Sequence, residues 1–176
     1  LNQIMRQAES SQIVINAHRI NNGQLPDFDA REDNFFFRPC SNAGYTLEKT
    51  ADMVCSRLPQ HFGYDPFTDI HVLTPMNRGP LGTQALNTHL QNILNPGEEG
   101  IRGREYTFKA GDKVMQLAND YNKDVFNGDI GFVSHVDLEG KELAVQFDER
   151  PVTYKLDELD DLIPAYAITI HKSQGC

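Results

Sequence analysis

The chain has 176 residues, of which 39% are hydrophobic, and 16 Lys and Arg against 25 Asp and Glu give it a net charge of −9. This composition excludes a disordered chain, and no apolar run approaches the ~18 residues that a membrane span needs. The acidic balance also argues against a broad basic face for nucleic acid.

The N-terminal residues carry no secretory signal. The chain starts at Leu1 rather than Met and ends directly after Gly175, so we expect a piece of a longer protein.

The first predicted element is a helix that Ser10 or Ser11 caps and Gly23 ends. Three consecutive phenylalanines in residues 34–38 predict a short buried strand. A second amphipathic helix follows, ended by Pro59 and Gly63, with Leu47, Ala51, Val54 and Leu58 on its apolar face.

Residues 70–73 predict a second strand, which should break at Thr74-Pro75. Thr83 is expected to cap a third helix, which Pro96-Gly97 would stop. Strands and helices that alternate in this order predict a parallel α/β sheet.

After Gly100 the apolar residues change from helical to two-residue spacing. Short strands are predicted at 113–117, 130–133, 143–147 and 152–156, with turn residues between them. Such spacing is typical of a small antiparallel barrel. The apolar run at 165–170 lacks alternation, as a central parallel strand does. The predicted fold class is therefore α/β: a parallel sheet with helices, interrupted by a small antiparallel β-barrel, after which the chain returns to the first sheet.

The distribution of charge along the chain changes near the same boundaries as the spacing of the apolar residues. Residues 104–164 carry seven basic and fourteen acidic side chains, and therefore −7 of the net charge. We predict three parts: residues 1–103, the insert 104–164, and residues 165–176. Any nucleic-acid site must then be local, made of backbone amides and a few cations.

The strongest candidate site directly follows the last predicted strand. A strand that opens into a helix aims free N–H groups outward, and Lys172, Ser173 and Gln174 add donors there. Thr169, His171 and Gln174 spread these donors along a line, which fits a phosphodiester better than a single phosphate. A polar loop after a buried strand is the structural alternative.

A second junction of this kind lies between residues 73 and 83. Gly79 and Gly82 permit close backbone approach, and Arg78 is one of two cations in residues 61–103. On a parallel sheet both junctions would open at the C-terminal edge, where ligands of open α/β folds bind. A structural turn is the alternative here.

Nucleotide and metal chemistry have weaker signals. Arg6, next to Gln7 before the first helix, could clamp a phosphate, or it could be a solvated side chain. No G-x-x-x-x-G-K-[ST] occurs, so the chain has no P-loop and is not expected to hold ATP and Mg²⁺ by itself. Three widely spaced cysteines and six histidines lack metal-ligand spacing, which predicts no metal site and a reducing cytoplasm.

Four segments together resemble the RecD-like superfamily 1 DNA helicases, the exodeoxyribonuclease V alpha subunit family. Residues 165–175 resemble motif V of the superfamily, and residues 72–96 resemble its RecD branch. Residues 111–131 resemble the SH3-like insert of that branch, and residues 6–18 resemble motif IV with the helix after it. The likeness covers nearly the whole chain.

In that family, two RecA-like domains hold ATP between them and single-stranded DNA across their top. The resemblance implies that this chain is part of the second motor domain, 2A, interrupted by the SH3-like 2B domain. Arg6 would be the catalytic residue at the γ-phosphate, with Gln7 and Gly175 also at the nucleotide. The residues implied to hold the DNA backbone are Thr74, Asn77, Arg78, Thr169, His171, Lys172, Ser173 and Gln174.

The resemblance also implies an ATP-dependent 5′–3′ helicase of recombination and repair, which uses ATP and Mg²⁺ when intact. Since motifs I to III and VI are absent, we expect no cofactor binding and no ATPase activity from this chain alone. The implied partners are single-stranded DNA, the N-terminal motor domain of the same protein and other recombination-complex subunits, with no membrane.

Two alternatives stay open. One is a Dda-like or conjugative relaxase helicase, which shares the His-Lys-Ser-Gln-Gly core but against which residues 73–79 argue. The other is a protein-interaction module, in which the acidic SH3-like barrel would bind a partner subunit or a basic segment.

Overall fold

The computed structural model describes residues 11–28, 34–97 and 99–173. The chain divides into two compact units, Leu1–Ser41 and Asn42–Cys176. No helix in the three described stretches combines the length and the apolar character needed to cross a membrane.

The described part of the first unit contains helix α1 (Gln12–Asn21), which begins after Ser11 as predicted. Gly23 follows it with a φ of 73°, a left-handed conformation that glycine adopts without strain. The Asn16 side chain accepts from the Asp27 N–H and donates to the Asp27 carbonyl, at 2.7 and 3.3 Å. This pair of hydrogen bonds ties the helix to the segment that leaves it.

The strand predicted at residues 34–38 is wrong. These residues are described and adopt no regular structure. Phe36 is 68% exposed, and the Phe37 ring contacts the Phe28 ring with their centroids 4.2 Å apart. An apolar run forms a buried strand only when a second strand pairs with its backbone groups, and no described strand pairs with this one.

The second unit opens with a continuous helical segment in three parts: α2 (Ala43–Asp52), a π-helical turn (Met53–Arg57) and α3 (Leu58–Phe62). The Asn42 side chain caps its start by accepting from the Tyr45 N–H at 2.9 Å. Of the two predicted ends, the one at Pro59 is wrong, because the helical segment continues through this proline directly after the π-helical turn. The end at Gly63, which is left-handed, is confirmed.

The strands described in the second unit form three sheets. After β1 (Val72–Thr74) come α4 (Thr83–Leu94), β2 (Ile101–Arg102) and β3 (Thr107–Phe108). Next are β4 (Lys113–Gln116), β5 (Ile130–Asp137), β6 (Glu142–Phe147) and β7 (Arg150–Lys155). A 3₁₀ helix (Leu156–Asp161), β8 (Leu162–Pro164), β9 (Ala167–Thr169) and α5 (Ile170–Ser173) complete the described residues.

The largest sheet is antiparallel, with the strand order β7-β6-β5-β4-β8. Strands β4 to β7 correspond to the four strands predicted from two-residue spacing, while β8 and the β2–β3 hairpin were not predicted. The acidic residues 157–161 form most of the 3₁₀ helix, and Leu159 among them is buried in the core of this sheet.

The parallel strands β1 and β9 pair directly, although the whole antiparallel sheet lies between them in the sequence. Helix α4 packs Leu86 and Leu90 against Tyr166 and Ala167 in a separate core. The predicted fold class, α/β with an antiparallel insert, is confirmed, and the chain returns to the first sheet after the insert, as predicted. Two boundaries differ: Thr74 lies within β1 rather than breaking it, and Gly82 rather than Thr83 is the N-cap of α4.

Candidate nucleic-acid interface

The carboxyl ends of β1 and β9 lie side by side. Thr74 is the direct register partner of Thr169, so the polar segments that follow the two strands start from the same edge of the parallel sheet. Helix α5 also contacts β1. This placement is the one expected for two ligand-binding junctions, because ligands of open α/β sheets bind beyond the carboxyl ends of the strands.

The loop between β1 and α4 uses the first amides of the helix for its own closure. The Thr83 N–H donates to the Met76 carbonyl at 3.1 Å, and the Gln84 N–H donates to the Asn77 carbonyl at 3.3 Å. The expectation of free helix N–H groups at this junction is therefore wrong. Any contact of this loop with a ligand would therefore have to come from its side chains.

Gly82 permits the loop to fold back in this way. A Cβ at this position would lie 2.5 Å from the Asn77 carbonyl oxygen and 2.7 Å from the Arg78 carbonyl carbon, which is closer than such atoms approach. The backbone of Asn77 and Arg78 therefore crosses directly over the start of α4. Both residues are exposed, and within the described part of the chain the Arg78 side chain has no hydrogen bond or ion pair.

The segment after β9 forms the short helix α5. Its His171 side chain is exposed, and Lys172 is half-buried. The Ser173 hydroxyl donates to the Ile170 carbonyl at 2.7 Å, so it is engaged within the helix. This junction thus presents an imidazole and an ammonium group at the edge from which the β1–α4 loop also starts.

The two strand-end threonines are buried and make internal hydrogen bonds. The Thr74 hydroxyl donates to the Leu81 carbonyl at 2.7 Å, and the Thr169 hydroxyl accepts from the Lys172 N–H at 3.4 Å. Each hydroxyl therefore holds a segment that carries a cation, the exposed Arg78 in one case and the half-buried Lys172 in the other. In this geometry the threonines position the junctions, and the neighbouring side chains face solvent.

Four predicted site residues, Arg6, Gln7, Gln174 and Gly175, lie outside the described residues. Their expected roles at ATP and DNA stay predictions. Among the residues that are described, no three His, Cys, Asp or Glu side chains come close enough together to hold a metal ion.

Asn87 on α4 fixes β9 behind this edge. Its side-chain amide donates to the Ala167 carbonyl at 2.9 Å, and its carbonyl oxygen accepts from the Ala167 N–H at 2.7 Å. The side chain is buried and satisfies both backbone groups of Ala167, as a neighbouring strand would. Asn87 thereby fixes α4, which follows the loop after β1, relative to β9, which leads into α5.

A buried carboxylate joins the antiparallel insert to the same two elements. Asp112 is fully buried and accepts four hydrogen bonds of 2.6 to 2.9 Å, from the Gln91 and Asn95 side chains, the Lys109 N–H and the Tyr166 hydroxyl. Burial, followed by the charge of Asp112, raises the pKa of the Tyr166 phenol, so that it stays a donor.

The sequence analysis did not predict this hydrogen-bond cluster around Asp112. The only signal was an acidic residue placed between Gly111 and an apolar strand, which contributed to the resemblance but was given no role. These hydrogen bonds of Asp112 fix the start of the insert relative to α4 and to Tyr166, the residue before β9.

Residues 86–147 match the family described as the ATP-dependent RecD-like DNA helicase SH3 domain. Over 176 residues the chain is 39% identical to an ATP-dependent RecD2 DNA helicase from Deinococcus radiodurans, which covers 99% of this chain and 23% of that protein. It is also 35% identical to the RecBCD enzyme subunit RecD of Mycolicibacterium smegmatis, over 59% of this chain and 18% of that protein. The chain thus spans less than a quarter of the length of these curated relatives.

Two solved structures share the fold. One is the Pif1 helicase from Bacteroides in complex with ADP-AlF3 and ssDNA, with a TM-score of 0.57 and 18% identity over 99% of this chain and 43% of that one. The other describes DNA unwinding at forked dsDNA by two coordinating Pif1 helicases, with a TM-score of 0.52 and 21% identity over 98% and 40% of the two chains. At these identities the likeness concerns the fold alone.

Proposed function

We propose that this chain, whose resemblance to the RecD-like superfamily 1 helicases is confirmed, forms part of the second motor domain of an ATP-dependent 5′–3′ DNA helicase of recombination and repair. Residues 1–103 and 165–176 would belong to that motor domain, and residues 104–164 would form its SH3-like insert. Its task would be to hold the backbone of single-stranded DNA. The names of its relatives, an ATP-dependent RecD2 DNA helicase and a RecBCD subunit, support this proposal.

The observation that carries the proposal is the pairing of Thr74 with Thr169 at the ends of two parallel strands. It starts both polar junctions at one edge of the sheet. A strand of nucleic acid laid along this edge would meet both junctions in turn, whereas opposite edges would have separated them.

The proposed contacts are charge-assisted hydrogen bonds to phosphate oxygens. The Arg78 guanidinium and the Lys172 ammonium supply the charges, and guanidinium groups match phosphate geometry particularly well. Asn77, His171, Ser173 and Gln174 would add polar contacts, while Thr74 and Thr169 hold the loops in place. Contacts to phosphates carry no sequence information, so binding would be independent of base sequence, as a translocating motor requires.

ATP with Mg²⁺ would supply the energy in the intact helicase. Arg6 would reach the γ-phosphate and stabilise charge during phosphoryl transfer, with Gln7 and Gly175 beside the nucleotide. The proposed partners are the N-terminal motor domain of the same protein and other subunits of a recombination complex, in the cytoplasm. Because the chain contains no P-loop, we expect it to turn over no ATP when purified alone.

The test is the binding of fluorescein-labelled oligo-dT to the 176-residue chain at low salt, followed by fluorescence anisotropy. Arg78→Ala and Lys172→Ala should each weaken binding by about fivefold, the loss of roughly 1 kcal/mol of charge-assisted contact. Arg104→Ala is the matched control, because it removes the same charge from an exposed position in the insert.

The control separates a local site from a general effect of net charge. If Arg104→Ala weakens oligo-dT binding as much as Arg78→Ala does, net charge alone explains the loss. Unchanged binding in both Arg78→Ala and Lys172→Ala would remove the DNA site from this edge.

A further inference from the structure

The loop between β4 and β5 carries two aromatic side chains on the surface of the insert. Tyr121 is 78% exposed and Phe126 is 39% exposed. Their ring centroids lie 6.0 Å apart with the planes at 76°, so the rings meet edge to face. Because Tyr121 is the more exposed of the two, its ring stays largely open to solvent.

The loop that carries these rings is internally braced. Asp120 and Val125 exchange backbone hydrogen bonds of 2.8 and 3.1 Å, and Val125 is fully buried. The Asp120 carboxylate also accepts from the Asn122 and Lys123 N–H groups, at 2.9 and 3.2 Å. Rings held on a braced loop lose little conformational entropy when a partner binds.

The surroundings of the rings are negative. The two cations next to the loop are already engaged: Lys123 pairs with Glu158 at 2.8 Å, and Arg150 pairs with Asp124 at 2.6 Å. Burial raises the pKa of the Tyr154 phenol, and nearby carboxylates raise it further; these are Asp120, Asp161, Glu158 and Asp129. Such a charge distribution repels phosphate groups and attracts cations.

The same surface shows how it holds a cation. The Lys123 ammonium lies 4.4 Å from the centroid of the Tyr154 ring while it pairs with Glu158. An aromatic face combined with a carboxylate is a favourable site for Lys or Arg. Tyr121 offers the same kind of aromatic face beside Asp120, and it is open to solvent.

We propose that the Tyr121–Phe126 tip of the insert docks an arginine- or lysine-rich segment of a protein partner. A guanidinium or ammonium group of the partner stacks on the open face of Tyr121, and the apolar stem of that side chain packs on Phe126. The net charge of −7 on residues 104–164 supplies the long-range attraction. The edge of the parallel sheet where β1 and β9 end and the Tyr121–Phe126 tip therefore bind different macromolecules. The first binds DNA, and the second binds a basic protein segment.

The test uses a fluorescein-labelled peptide of six Arg-Gly repeats and the 176-residue chain, with anisotropy measured at ~0.15 M salt, where long-range attraction is screened. Tyr121→Ala should weaken peptide binding by about three- to fivefold, the range of an exposed cation–π contact. Tyr121→Phe should restore it, because the ring face is retained. Tyr64→Ala is the matched control, since Tyr64 is another exposed tyrosine of the same unit.

Because none of these substitutions changes the charge at neutral pH, an effect of Tyr121→Ala cannot come from net charge. Peptide binding that is equal in the wild type and Tyr121→Ala would overturn the proposal. Labelled oligo-dT, measured in parallel, should bind the wild type and Tyr121→Ala alike. If Tyr121→Ala loses oligo-dT affinity and keeps peptide affinity, the tip stacks on nucleobases and the proposal is wrong.

Discussion

The buried hydroxyls of Thr74 and Thr169 help to shape the proposed DNA edge. Each takes part in one hydrogen bond that fixes the segment after its strand. A net hydrogen bond of this kind contributes about 1 kcal/mol, and leaving a buried partner unsatisfied costs more. The threonines therefore connect the stability of the sheet to the position of Arg78 and Lys172.

Thr74→Val keeps the shape of the side chain but leaves the Leu81 carbonyl without its donor. We expect the free energy of unfolding to fall by about 1 to 2 kcal/mol, measured by urea denaturation with far-ultraviolet circular dichroism. Thr74→Ser retains the hydroxyl and should lose less. Equal stability of Thr74→Val and the wild type would show that the Leu81 hydrogen bond contributes nothing.

Tyr166 makes stability depend on alkaline pH. Burial and the neighbouring Asp112 raise its pKa in the folded state, so the unfolded chain releases this proton first, near pH 10. The stability that Tyr166 contributes is fully present below about pH 10 and falls as pH rises towards the raised folded value.

Tyr166→Phe should therefore flatten the decline above pH 10, by at most about 1.4 kcal/mol per pH unit. Urea denaturation from pH 8 to 11.5 measures this slope. Part of the decline should remain, because the pKa of Tyr154 is raised as well. An identical slope in the variant would mean that Tyr166 ionises equally in both states.

Among the elements, those with a clear apolar period could be predicted from the sequence. Helix α4 and strands β5 to β7 each bury mainly one face, and their spacing shows it. Strand β4 is buried at all four positions, although Lys113 and Gln116 are polar. The β2–β3 hairpin and β8 have two or three residues per strand, too few for a period to appear. At residues 34–38 the apolar run predicted burial, but burial depends on a partner strand that local sequence does not specify.

The candidate site was predictable in its location but not in its chemistry. Parallel strands bring their carboxyl ends together whatever their side chains are, so two polar junctions could be placed on one edge. Which groups stay free depends on loop closure. The close approach of the 77–78 backbone to Gly82 uses the α4 amides, and the spacing of the glycines alone does not reveal it.

A substitution of Asn87 measures how far α4 supports strand β9. Asn87→Ala would leave the buried N–H and carbonyl of Ala167 without partners, so the free energy of unfolding should fall by about 2 to 4 kcal/mol. Asn92→Ala is the matched control, because it removes an exposed asparagine from the same helix. Similar losses in the two variants, measured by urea denaturation, would contradict the role given to Asn87.

At the scale of the whole molecule, charge and proposed function are segregated. The insert carries −7 and the remaining residues carry −2, yet the proposed DNA edge displays Arg78, His171 and Lys172. An acidic protein that binds DNA must do so through few contacts, because each further phosphate would approach a negative surface. The number of phosphate contacts therefore distinguishes DNA binding at a local edge from DNA binding on a broad basic face.

The salt dependence of oligo-dT binding measures that number. For single strands the slope of log K against log salt is about −0.7 per neutralised phosphate, so two cations predict a slope near −1.4. Arg78→Ala should reduce its magnitude by roughly 0.7, because one phosphate contact is lost, whereas Arg104→Ala should leave it unchanged. A wild-type slope steeper than about −4 would require many more contacts than the edge between β1 and β9 can supply.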